Sequence, residues 1–470
     1  MKHKPRPSKS KQILNQLTHP NAAGIDMAAE ELVVAVPVDR DPEPVRTFRT
    51  TTPELMRLRD WLVACKIETV AMESTGNYWI ATYQILEDAE IKVCLVNARH
   101  VKGVPGKKTD VCDAQWLQQL HQCGLLRGSF RPDKEIIPLR YVMRHRTGLI
   151  ESASREIQHM QKVLTEMNLQ LHHVFSDLDG ESAMAIMDAI IAGRRDPEYL
   201  WTLRNNKCKC TKSRFLECIQ GDWRAEYLFV LEQCQKRYRQ TLKDITDCDH
   251  QIEKVVAQIS VAPPPAPIIT PVDPPVIKED ESVSKQSTSE IPQCKALAQI
   301  SVEPPPTPMI TLEITPVVKA DECPSKQSTT EKAPFIRKPK PRNSRSKNEP
   351  AFNVRVEAER FYGVDLGTMD GIGSIVLVTF MSELGTGEQI REKFRSADHF
   401  ASWLGLCPNN SVSAGKILGS KTRCQSNRIS MVLRMAAQSL TRAECLLGEF
   451  CRRMKARLGK SEGITLSPIS

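Results

Sequence analysis

The chain has 470 residues, of which 26% are charged and 5% aromatic, and carries a formal net charge of +9. That length suits about two or three domains with separate cores, and the modest positive charge permits a nucleic-acid partner without demanding one. No signal peptide or membrane-length apolar run is expected, and the fifteen cysteines are scattered rather than set out as a secreted disulfide framework, so the reading is of a cytoplasmic protein with no membrane partner.

Residues 1–20 form a basic tail, with Lys2, Lys4, Arg6, Lys9 and Lys11 and no acid. Such runs are usually disordered and touch polyanions loosely. Ala22 to Asp26 then reads as a short buried strand ending in an acid. Glu31 to Val38 and Val45 to Thr51 are two further strands, separated by an Asp-Pro turn. Pro53 to Cys65 turns helical, with Leu55, Leu58, Trp61 and Leu62 on one face. Thr69 to Met72 is a second buried strand, followed at once by Glu73. Tyr78 to Ala89 is expected to be a helix and Lys92 to Val96 a strand. Three strands, then helix, strand, helix, strand and helix is the order of an α/β RNase H-like (RuvC-like) domain, expected over residues 21–135. In such layered folds sites form at strand ends.

The next helix is expected to start near Thr109, which can cap it. Asp110 and Asp113, three residues apart, then share a face. They are either the acidic first turn that helices favour or two ligands of a divalent cation, the usual holder of crowded carboxylates. Asp26 and Glu73, each the first acid after an apolar strand, are the partners a metal site requires. Lys107 and Lys108, beside the Val104-Pro105-Gly106 turn, suit phosphate contacts or a solvated basic turn.

Residues 136–257 are expected to be a helical, coiled-coil-like region, in which the period changes from Ile150 onward. Ile150, Ala153, Ile157, Met160, Leu164, Met167, Leu171 and Val174 make one apolar seam, and Leu231, Cys234, Tyr238, Thr241, Ile245, Cys248, Ile252 and Val255 another. Both alternate in steps of three and four, predicting an antiparallel helical pair, a coiled-coil-like arm or an ordinary helical subdomain. Cys208, Cys210 and Cys218 lack the paired spacing of a structural zinc site. His172-His173 reads as a surface pair.

Residues 258–352 are expected to be a disordered linker. The stretch from 258 to 350 holds 18 of the 31 prolines, and its AQISVAPPPAPIIT motif at Ala257 returns as AQISVEPPPTPMIT at Ala298, 41 residues on. Order is expected to resume over 353–470 as a mostly α domain. Its start, Met369-Asp370-Gly371-Ile372-Gly373 followed by an apolar helix, is helix-hairpin-helix-like or a plain packing turn. Phe394 to Leu406 is expected to be one amphipathic helix. Cys407 to Lys416 is a polar loop in which Ser413, amid Lys416, Lys421, Arg423, Arg428 and Arg434, is either a phosphodiester nucleophile or an ordinary loop serine.

Together AAGIDMA at Ala22, AMESTGNYWI at Ala71, VNARHVKGVPGKKTDVCDAQWLQQL at Val96, DGIGSIVLVTFMSELG at Asp370 and ASWLGLCPNNSVSAGK at Ala401 resemble the DEDD-type transposases of bacterial insertion sequences, relatives of the Piv/MooV DNA invertases. The resemblance implies a RuvC-like site of Asp26, Glu73, Asp110 and Asp113 holding Mg²⁺, with Mn²⁺ as a substitute. It implies that Ser413, in the family's serine-small-glycine-lysine pattern, joins covalently to cut DNA, and that Lys416 and Arg423 contact nucleic acid. It further implies a homo-oligomer, dimer or tetramer, whose acids and serine meet across protomers, with the helical arm holding protomers together. It implies as DNA partners the element's double-stranded ends and target, guidance by a noncoding bridge RNA from the element, and a nucleoid-associated place in the cytoplasm. Departures are the proline-rich tract, Asp370 where the family has proline, Ser426 where it commonly has glycine, and the ending SEGITLSPIS. The alternatives are a metal-dependent nuclease or resolvase that does not rejoin, and a non-catalytic nucleic-acid-binding remnant.

Overall fold

The computed structural model describes residues 17–74, 76–97, 110–206, 208–261, 348–407, 411–413, 416–419 and 427–459. The basic tail up to residue 16, Lys107, Lys108, the Thr109 cap, Arg423, the duplicated tract over 262–347 and the ending from 460 lie outside the described residues, as do the side chains of Asp110 and Lys416. Residues 1–261 and 350–470 cluster as one unit and 262–349 as another. No helix among the described residues is long and apolar enough to cross a membrane.

The N-terminal part is a mixed α/β layer, consistent with the RNase H-like expectation. Its elements are β1 (Ala22–Met27), β2 (Glu31–Ala35), β3 (Val45–Arg49), α1 (Thr52–Ala64), β4 (Thr69–Glu73), α2 (Trp79–Asp88), β5 (Lys92–Val96) and α3 (Asp110–Gln122). The sheet order is β3-β2-β1-β4-β5. β1 to β3 form an antiparallel meander, whereas β4 runs parallel to β1, and β5 to β4. β1 is central and covered on both faces, which is why it reads as an unbroken apolar run. The two faces separate by residue parity. Ala23, Ile25 and Met27 join Val70 and Met72 under Leu55, Leu58 and Leu62 of α1 and Leu86 of α2. On the opposite face Val33 and Ala35 of β2 pack against Ala114 of α3.

Beyond α3 the chain is mostly helical: α4 (Ile137–Glu166), α5 (Glu181–Ile191), α6 (Pro197–Thr202), α7 (Lys212–Cys218) and α8 (Ala225–Gln258), then α9 (Val354–Tyr362), α10 (Ser374–Leu384), α11 (Gly387–Lys393), α12 (Ala397–Trp403), α13 (Arg428–Leu440) and α14 (Leu446–Leu458), with a hairpin of β6 (Ser411–Ser413) and β7 (Lys416–Gly419) between α12 and α13. The two long helices pair antiparallel, as Arg146 to Asp249 and Arg237 to Glu156 show. Their first seam outruns its helix. Asn168 takes the left-handed conformation (φ 57°) just after the α4 C-cap, so Leu171 reaches the same core from a separate turn. His172 of that turn is half-buried, its pKa lowered by burial and then by His173, and the two rings stand 4.2 Å apart.

The pair feeds two cores. One joins Met160, Val163 and Leu164 of α4 and Leu231 and Tyr238 of α8 to α5, α6 and α7. The other joins Leu139 and Met143 of α4 and Ile252 and Val256 of α8 to Phe361 of α9 and Leu377 and Met381 of α10. Ile259 and Phe352, within the span expected to be linker, are buried in this second core, because the linker's edges supply apolar side chains to it. The Ala351 amide donates to Asp249 (3.2 Å), and the Arg360 guanidinium donates to the Val256 and Ile259 carbonyls at the end of α8 (2.7 and 2.9 Å).

The C-terminal helices dock on α4 through charge. Glu383, buried near the end of α10, accepts two bonds from Arg144 (2.8 Å each), and Arg140 Nε lies 3.0 Å away. Arg428, at the start of α13, is 3.9 Å from the same carboxylate. The expected Phe394–Leu406 helix is shorter, over Ala397–Trp403, because Ser396 caps its start by accepting from the His399 amide and Gly405 (φ 68°) turns the chain at its end. Gly371 (φ 85°) lies under Leu440 of α13, 2.9 Å from where a Cβ would stand, which is packing chemistry.

Candidate active site

Asp26 and Glu73 stand one residue beyond the last paired positions of two adjacent parallel strands, since Gly24 pairs with Ala71 and Ile25 with Met72. The parity that sends Ile25 and Met72 into the α1 core sends Asp26 and Glu73 to the other face, where α3 lies. Both are half-buried.

Four contacts fix how α3 lies. At its C-terminal end the Gln122 carbonyl accepts from the Thr18 and His19 amides (2.8 and 3.1 Å), just before β1. His121 Nε2 is 2.9 Å from Thr69 Oγ1 at the start of β4. Midway, Gly24 sits against the helix backbone: a Cβ there would be 2.3 Å from the Ala114 carbonyl oxygen and 2.4 Å from the Gln118 nitrogen. The helix therefore runs opposite to β1 and β4. Two strand residues advance about 6.6 Å, and at 1.5 Å per residue that is about four to five residues of helix. Stepping from Gly24 to Asp26 thus moves from the level of Ala114–Gln118 to that of Asp110–Asp113. The fold brings Asp26, Glu73 and the first turn of α3 to one end of one sheet face.

The donor set is all carboxylate oxygen, which suits a hard, oxygen-seeking cation such as Mg²⁺. Among the described residues a set of different chemistry, Glu156, His159 and Cys234, lies on the α4–α8 pair, its ligand atoms within 4.8 Å of one another. It does not coincide with the expected site, and Arg237 already holds it, donating to Glu156 (3.1 and 3.0 Å) and reaching Cys234 Sγ (3.2 Å). Cys208, Cys210 and Cys218 are free thiols, the pKa of Cys210 raised by burial.

Ser413 is on the β6–β7 hairpin, opposite Lys416, where an irregular loop was expected, and its side chain is exposed. The hairpin is bracketed by fixed points: the Ser430 hydroxyl in α13 donates to the Leu404 carbonyl after α12, and Asn427 caps α13 by accepting from the Ile429 amide (2.9 Å). The serine and the acids thus belong to separate parts of the chain, which meet at Phe130. The Ser129 amide donates to Leu95 of β5 (2.6 Å), the Phe130 ring packs on Trp403 and Phe394 (centroids 5.2 and 5.9 Å), and the Arg131 guanidinium lies 3.6 Å over the Tyr83 ring.

Sequence reasoning missed Gly24, His121, Phe130 and Glu383. For Gly24 a signal existed, because glycine inside a strand marks close backbone approach. His121 is buried, and burial, then His19, lowers its pKa to about 4. Its folded pKa lies below the ordinary value, so the unfolded state binds the extra proton. The resulting stability is whole above about pH 6.5 and drains as pH falls toward 4. Unfolding free energies from urea titrations at pH 7.5 and pH 5 are expected to differ by about 2 kcal/mol from this residue, and His121→Gln is expected to flatten that limb.

Two family models match. Residues 23–169 match DEDD_Tnp_IS110, described as Transposase, and residues 365–451 match Transposase_20, described as Transposase IS116/IS110/IS902 family. No curated protein matches the chain. The first match spans β1 to the end of α4, with Asp26, Glu73, Asp110 and Asp113, and the second spans α10 to α13 and the Ser413 hairpin.

Proposed function

We propose, from the support these matches give to a DEDD-type IS110/IS116 transposase of an insertion sequence, that the chain cuts and rejoins DNA with two half-sites, one of acids and one of serine. The observation that carries the reading is the setting of α3 on β1, which puts the Asp110–Asp113 turn level with Asp26 and Glu73.

In this reading Asp26, Glu73, Asp110 and Asp113 would hold a divalent cation of the magnesium kind, which when bound supplies positive charge against the phosphate. The chain's own part is to fix four carboxylates on two strand ends and one helical turn. The exposed Ser413 hydroxyl attacks phosphorus. A Ser Oγ–P bond forms, a phosphorus–oxygen bond of the DNA breaks, the hydroxyl proton leaves to water and the departing oxygen takes up a proton. Rejoining reverses the exchange with a deoxyribose hydroxyl as the entering group. Lys107, Lys108, Lys416 and Arg423 would hold phosphates. We extend the reading to guidance by the element's noncoding RNA and to assembly of acids and serine across protomers.

The test traps protein on supercoiled donor DNA with Mg²⁺ and the element's RNA. A covalent adduct is expected for the wild type and none for Ser413→Ala or Asp110→Ala. Cleavage without an adduct would favour a nuclease that does not rejoin, and identical behaviour of wild type and Asp110→Ala would overturn the catalytic reading.

A further inference from the structure

The charge cluster that docks the C-terminal helices is unbalanced. Arg140 and Arg144, one helical turn apart on α4, and Arg428 at the first residue of α13 converge on the single carboxylate of Glu383. That is three cations against one anion. Three guanidiniums offer many more N–H groups than one carboxylate can accept, and the Nε of Arg140, though 3.0 Å from the carboxylate, makes no hydrogen bond among the described residues. Burial lowers the Arg140 pKa; Glu383 works against that shift, while Arg144, Arg131 and Arg428 add to it. Arg131 stands apart over Tyr83, where Glu87 and Asp133 also act.

Two of the three remain open to solvent, since the Arg144 and Arg428 side chains are 42% and 45% exposed. A structural ion pair needs one arginine, and the carboxylate already accepts both bonds of an Arg144 fork. Arg428 lies at the far limit of ion pairing, so its charge is largely unspent on Glu383. The cluster also has a position: Arg428 opens the helix that follows the Ser413 hairpin, and Asn427 fixes that start. Guanidinium forks in a half-open cluster are matched by phosphate oxygens.

We propose that Arg144 and Arg428, gathered about Glu383 at the start of the helix that follows the serine hairpin in the chain, form a phosphate-binding site for a polynucleotide backbone. The proposal rests on the reading of the chain as a DNA recombinase and adds to it a binding site on the α4–α13 junction. Glu383 holds the Arg144 fork, Asn427 fixes the start of the helix that carries Arg428, and the surplus charge draws the backbone to the α4–α13 junction. Phosphate contact carries no sequence information, so this site sets register and leaves target choice to other contacts.

The full-length protein is titrated into a fluorescent duplex DNA, and separately into a structured RNA of similar length, across a salt series by anisotropy. Arg144→Gln/Arg428→Gln is expected to weaken binding uniformly across unrelated sequences and to lower the slope of log K against log salt by about 2. Arg144→Lys/Arg428→Lys, which keeps the charge, is expected to restore most of the slope. A lowered slope on DNA, on RNA or on both supports the site and says which backbone it holds. An unchanged slope on both, or weakened binding that the lysine pair fails to restore in a protein of wild-type melting temperature, overturns it. Binding by Ser413→Ala protein is measured in parallel, so a failure of strand cutting, which would sink the recombinase reading, is distinguishable from a failure of this site.

Discussion

Gly24→Ala is expected to destabilise the protein by about 3 kcal/mol or more, at or beyond the upper end of what overpacking usually costs. The added Cβ would stand 2.3 Å from the Ala114 carbonyl oxygen and 2.4 Å from the Gln118 nitrogen. Both are backbone atoms of α3, so no rotamer change relieves the clash and the helix itself must shift. Its two anchors resist, Gln122 on the Thr18 and His19 amides and His121 on Thr69. Movement is therefore expected at the opposite end, the first turn with Asp110 and Asp113. A displacement of about 1 Å at a reacting centre lowers rate roughly a hundredfold, so strand cutting should fall by that order even in protein that remains folded. Thermal unfolding and single-turnover cleavage check the two halves separately. Wild-type stability with wild-type cutting would show that α3 does not seat on β1 in this way.

Glu383→Gln is expected to cost about 2–3 kcal/mol, less than the loss of a fully buried ion pair, because the carboxylate is buried but its arginine partners are partly exposed. The substituted amide keeps the shape but not the charge, leaving the half-buried Arg140 and the Arg144 fork without an anion. Because α4 and α10 also share the Leu139–Met381 core, the expected outcome is a lower urea midpoint rather than separation of the helices. Arg428→Gln serves as the contrast. Its partner is 3.9 Å away and its side chain 45% exposed, so it should change the unfolding free energy by less than about 1 kcal/mol. Equal effects of the two substitutions would mean that Glu383 is not the centre of the junction.

The elements that were legible in the sequence owe that to local pattern. β1, β4 and β5 are short apolar runs, and the acids that end β1 and β4 appear as the first polar residues after them. The long pair α4 and α8 was visible in its three-four spacing, which the helix obeys as far as Glu166. What escaped depends on partners far along the chain. Glu383 lies in an apolar helix and looks like a stray acid until α4 returns beside it, 239 residues away in sequence from Arg144. Phe130 sits in a polar stretch, Gly-Ser-Phe-Arg-Pro-Asp, and only the aromatic cluster of Phe394 and Trp403 gives it a purpose. The two Asp residues of α3 are ambiguous alone. Their level against Asp26 follows from a glycine whose role is to have no side chain.

Ile259 and Phe352 end and resume the chain within one hydrophobic cluster, with Arg360 closing the end of α8 and Asp249 holding the Ala351 amide. The two ends of the intervening sequence are thereby anchored in one core, and for an extended linker of the kind its composition predicts, length is nearly decoupled from folding. Closing a chain between fixed ends grows harder only with the logarithm of its length, about 0.6 kcal/mol for each doubling. Copying a 41-residue unit into such a place costs the fold less than one ordinary hydrogen bond contributes. Internal duplication is thus close to neutral at this one point of the chain, and the same event inside β1 or α3 would not be.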